Sequence, residues 1–164
     1  MFLIDNLRCL TEREVSMSHL GVGYTGHLFE EEVLGTGWAS WDLRNYVPFD
    51  EALTLVRSHQ NWNPSDPTTR RANDLHAEVA LALELENWQE LCFFSALKSP
   101  LDFFHGVDGF FEFRGRVVTI DLTTNPHKDR AKARFVLHPA DLAEDRPATA
   151  KMIARALLAE RRSA

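Results

Sequence analysis

Asp108 and Asp121 are the residues whose types and spacing point most directly to chemistry. They lie in HGVDGFFEFRGRVVTIDLTTNPHK, residues 105–128, where apolar runs at 110–113 and 117–122 flank Arg114-Gly115. A glycine at the second turn position permits positive φ, so the pattern predicts a tight β-hairpin. With the turn at 114–115, residues whose numbers sum to 229 face each other, which sets Asp108 opposite Asp121. Residues paired across neighbouring strands lie roughly 5 Å apart. Along the second strand Val118, Ile120 and Leu122 share one face, and Thr119, Asp121 and Thr123 share the other. A carboxylate in mid-strand is costly to bury. Two of them side by side repel unless a cation lies between them or one keeps a proton.

Other groups could join them. Glu78 falls at the border of the apolar stripe Leu75, Val79, Ala82 and Leu83, which places it to reach a site or to hold its head in water. Downstream of the hairpin, NPHKDRAKAR (125–134) holds four bases against one acid. With Arg114 and Arg116 at the turn, Lys128, Arg130, Lys132 and Arg134 form a basic surface that could track phosphates or simply stay solvated. His127 sits beside it, but no histidine pair has metal-ligand spacing on a helix, and no serine stands in a nucleophile-elbow context. The glycines of GVGYTG (Gly21, Gly23, Gly26) spell a dinucleotide fingerprint, yet no buried strand precedes them and HLFEEEVLG reaches another glycine too soon.

Composition bounds the class. The chain has 164 residues, 45% hydrophobic and 26% charged, ordinary for a soluble domain with a real core. Its net charge of −6 comes entirely from residues 1–66, which carry ten acids and four bases. A generic nucleic-acid binder is therefore disfavoured, although a local basic surface is not. No apolar run reaches membrane-spanning length, and MFLIDNLRCL lacks the features of a signal peptide. Cys9 and Cys92 have no metal spacing and read as reduced thiols, so the expected location is cytoplasmic.

The elements that must position these groups follow in order. A loop-rich, partly helical extension occupies 1–66, suited to a cap, an arm for a second copy or a surface for a protein partner. FDEALTLVRSH predicts a short helix within it, and Asp66-Pro67 predicts the start of another over 68–87, with Asp66 as N-cap. LCFFSAL (91–97) predicts a buried strand, Pro100 a break, ARFVLHP (133–139) a further strand, and Pro147 a last helix ending near Arg161 and Arg162. The expected architecture is α/β, with four strands including the hairpin and helices flanking them.

This order, with a helix glutamate, an aspartate opening the second strand and D-x-T in the third, resembles the PD-(D/E)-x-K nuclease superfamily of restriction endonucleases and junction resolvases over residues 67–140. The resemblance implies a restriction-endonuclease-like core with a central mixed sheet. It implies Asp108, Asp121 and Glu78 as ligands for Mg²⁺ or Mn²⁺, and DNA as substrate. The family's lysine falls at Thr123, which cannot replace it in kind. Lys128 is the nearest downstream substitute and Lys98 the other. The alternatives are a nuclease fold without catalysis, acting as a nucleic-acid-binding or protein-interaction module, and an unrelated α/β domain.

Overall fold

Two stacked phenylalanine pairs mark the centre of the molecule, one on each face of a single sheet. In the computed structural model, which describes residues 24–38 and 41–159, the strands are β1 (Leu91–Ser95), β2 (Gly109–Phe113), β3 (Arg116–Leu122) and β4 (Phe135–Leu137). Their spatial order is β1-β2-β3-β4, antiparallel except for the parallel pair β3–β4. The expected register holds, with Phe110 opposite Thr119 and Phe113 opposite Arg116. Arg114 (φ 49°) and Gly115 (φ 75°) both take positive φ, which gives the two-residue turn the twist of its strands.

The helices are α1 (Gly26–Leu34), α2 (Phe49–Ser58), α3 (Arg70–Ala82), α4 (Pro100–His105) and α5 (Arg146–Leu158). On one sheet face Phe93 stacks on Phe111 at 4.1 Å, and α1, α3 and α5 cover them with Phe29, Val33, Leu75, Val79 and Ile153. On the other face Phe94 stacks on Phe110 at 4.7 Å, beneath Leu53 and Val56 of α2 and Leu101 of α4. The mixed α/β architecture expected from the sequence is thus present, with a four-stranded mixed sheet flanked by helices.

Two local expectations need correction. Helix α3 is capped by Thr69, whose Oγ1 accepts from Ala72 N at 3.2 Å, and it ends at Ala82. Asp66 instead accepts from the Asn73 side chain at 2.8 Å, bracing the turn that precedes the helix. Pro100 does not break the chain but starts α4: Ser99 caps it and Gly106, in the left-handed region at φ 63°, closes it. Within the stretch expected as an extension, α1 buries Phe29, Val33 and Leu34 completely in the main core. Cys9, Gly21, Gly23, Arg161 and Arg162 lie outside the described residues. Among those residues, no helix is long and apolar enough to cross a membrane.

Candidate functional site

The crossover from β3 to its parallel neighbour β4 builds the site. Parallel neighbours cannot be joined by a tight turn, so the chain must travel between them. Residues 123–134 do so as a loop that passes over the Phe110 face and buries Ala133 there. Asp121, level with Val136 of β4, is 6% exposed. The returning loop sets Lys128 Nζ 2.7 Å from Asp121 Oδ2. The ammonium and the buried carboxylate oxygen pair directly at this distance.

Asp108 stands just before β2 and is 3% exposed. Its N–H donates to Ile120 O at 2.9 Å, and its Oδ2 accepts from Leu122 N at 2.7 Å. The carboxyl therefore terminates the β2–β3 ladder, supplying an acceptor where backbone pairing stops. Burial pushes the Asp108 pKa up to about 9; the Leu122 N–H opposes that shift, and the charges of Asp102, Glu30 and Asp121 add to it. Burial thus favours the protonated form of Asp108 at neutral pH. The repulsion expected between paired carboxylates is relieved by that proton on one side and by an ammonium on the other.

Two further acids complete the cluster. Asp102, in the first turn of α4, accepts from Lys98 N at 2.9 Å and hydrogen-bonds with Asp108; burial raises its pKa. Glu30 of α1 is half-buried, and burial, then the charge of Asp102, raises its pKa, while Asp121 and Lys128 act on it in opposite directions. The Asp121 carboxylate in turn pushes the Lys128 ammonium up. All the anionic donors are oxygens, which suits Mg²⁺ or Mn²⁺. Asp121 Oδ2 is the atom that best fits a cation, because it is buried and already faces the Lys128 ammonium. Among the described residues, no three His, Cys, Asp or Glu side chains are already grouped to hold an ion.

The structure therefore brings Asp108, Asp121 and Lys128 together and leaves Glu78 out. Glu78 lies 3.8 Å from Arg146 of α5 and is not among the charges acting on Asp108. The border of the α3 stripe faces the neighbouring helix, not the sheet end. The helix glutamate at the site is Glu30, and Asp102 joins it. A signal for Glu30 was available: Thr25 as N-cap and Phe29, Val33 and Leu34 at helical spacing mark α1 as buried. Thr123 donates its N–H to Leu137 O at 3.0 Å and accepts from Asn125 N through Oγ1 at 3.1 Å, so it serves the crossover. Lys98 points to Glu31, at 3.8 Å. His127 is exposed in an Asn125-initiated turn.

The six basic residues divide. Lys128 faces Asp121, while Arg130, Lys132 and Arg134 are exposed. Arg116 donates to the carbonyls of Leu157, at 3.2 Å, and Ala159. Arg114 pairs with Glu90 at 3.2 Å in a groove that also carries Glu84 and Glu86, a poor place for phosphate. No protein-family model, curated protein or solved structure matches this chain.

Proposed function

We propose that the protein is a metal-dependent, nuclease-like enzyme that hydrolyses phosphodiester bonds in DNA, built on a restriction-endonuclease-like core. Asp108 and Asp121 would hold Mg²⁺ or Mn²⁺, with Glu30 taking the place first given to Glu78. Lys128 would take the place of the lysine that Thr123 lacks. The observation that carries this reading is the Lys128 ammonium 2.7 Å from Asp121 Oδ2, delivered by the crossover loop. A cation bound there supplies positive charge that polarises the phosphate and activates water. Asp121 orients that charge, Asp108 must give up its proton to join, and Lys128 is free to orient water or offset phosphate charge.

A second reading, a nuclease fold that binds nucleic acid or protein without cutting, is favoured by the ladder-ending role of Asp108. A carboxyl committed to Leu122 N–H and holding a proton serves the fold without any metal. Incubation with plasmid and single-stranded DNA, in Mg²⁺, Mn²⁺ or chelator, separates the two. The nuclease reading expects metal-dependent cleavage that Asp121→Ala abolishes. Cleavage that survives Asp121→Ala, or none with either metal, would sink it.

A further inference from the structure

β4 pairs only with Ile120–Leu122, so the edge of β3 over residues 116–119 has no strand beside it among the described residues. A cleft of about 580 Å³ opens along that edge, between α2 and the end of α5. Its polar lining includes Arg57, Arg116 and Arg134, opposed by the single acid Asp50. Each arginine comes from a different element, and two are fixed in place. Arg57 is held by Glu112, with Nε 2.7 Å and Nη2 2.6 Å from Oε2. Arg116 is held by the carbonyls that end α5. Arg134 is exposed and forms no carboxylate pair among the described residues; its N–H is anchored on Thr119 Oγ1 at 2.9 Å. Its guanidinium lies over the Phe135 ring, 5.8 Å from the centroid, a contact that leaves its N–H donors open to a ligand.

We infer that this cleft receives a phosphate of the same DNA strand whose scissile bond lies at Asp121 and Lys128, an inference that rests on the nuclease reading. Lys128 and Arg134 stand in the middle and at the end of the one 123–134 loop, so the carboxylate site and the cleft lie along a single track of chain. Four residues of strand at roughly 3.3 Å each separate Val117 from Asp121 by about 13 Å. On that scale the cleft meets a phosphate only a few nucleotides from the bond. Arg134 makes the contact, and Arg116, bound only to neutral carbonyls, adds positive potential beside it, whereas Arg57 is compensated by Glu112.

The test is anisotropy of a short labelled duplex in chelator, across a salt series, with melting temperature as the folding control. Arg134→Gln should weaken binding and lower the logarithmic salt slope by roughly 0.9, the loss of one phosphate contact. Arg134→Lys should retain the slope, and Arg114→Gln should leave binding unchanged. If Arg134→Gln binds like the wild type while cleavage still needs Asp121, the inference is overturned and the nuclease reading stands. If the wild type neither binds nor cuts DNA, both fall. Competition by inorganic phosphate or a mononucleotide as effective, per phosphate, as the duplex would assign the cleft to a small ligand and overturn the strand track.

Discussion

Asp108 illustrates how one buried carboxyl can serve fold and site together. Its folded pKa of about 9 exceeds the ordinary value of 3.8, so between those limits the folded state keeps a proton that the unfolded chain releases. Stability from this group is present in full below pH ~4 and is lost as pH rises toward 9, by at most about 1.4 kcal/mol per pH unit. Glu30 and Asp102 shift in the same direction. Buried His76, bonded to Leu91 O at 2.7 Å, shifts downward and acts oppositely, but only near and below its own ordinary value of 6.5. Melting in chelator should therefore decline from pH 7 to 9 in the wild type, and Asp108→Asn should flatten that decline. A parallel decline in both proteins would remove Asp108 as its source. Lys128 gives the companion experiment: if it acts on water or phosphate, Lys128→Ala should reduce cleavage on the order of 10²–10⁴-fold. Loss of cleavage on Lys98→Ala instead would transfer the role.

At the scale of elements, the helix that supplies the third acid decides between two glutamates. Glu30→Gln should weaken the response of melting temperature to Mn²⁺. Glu78→Gln should leave that response intact and change stability by about 0.5 kcal/mol or less, because its partner Arg146 is a partly exposed contact at 3.8 Å. The opposite ranking would restore Glu78 to the site. Why Glu78 stood out before Glu30 is physical. Periodicity marks a buried stripe, but it does not say which neighbour the stripe's border faces. The hairpin was legible to the residue, because Arg114-Gly115 between two apolar runs, the second alternating, fixes a register that ends at Gly109 opposite Ile120, one step from Asp108 and Asp121. Helix α4 was not legible, although Ser99, Pro100 and Gly106 spell its caps. Six residues are too few for a periodic signal, and proline reads equally as a break. Asp102 was missed with its helix. The path of the 123–134 loop depends on β4 lying parallel to β3, a tertiary fact that no local pattern contains.

For the whole molecule, the relevant charge is local. The sum of −6 is screened over about 8 Å at physiological salt, so a phosphate chain at the β3 edge senses Asp121, Lys128 and the nearby arginines far more than the distant acids. Asp108, being protonated, adds no repulsion at neutral pH. The two carboxylates of the hairpin should therefore differ in a metal-free binding measurement, although they face each other across the strands. Asp121→Asn removes a negative charge and releases Lys128 from its 2.7 Å pairing. In chelator at pH 7 this variant should bind duplex DNA more tightly than the wild type, with a salt slope steeper by roughly 0.9 as Lys128 gains a phosphate. Asp108→Asn removes no charge and should bind as the wild type does. At pH 10, above the Asp108 pKa, the two substitutions should converge, because Asp108 then carries a charge that its asparagine lacks. Equal tightening by both variants at pH 7 would mean that Asp108 is ionised in the folded protein. No tightening by Asp121→Asn at any salt would mean that phosphate does not approach this face.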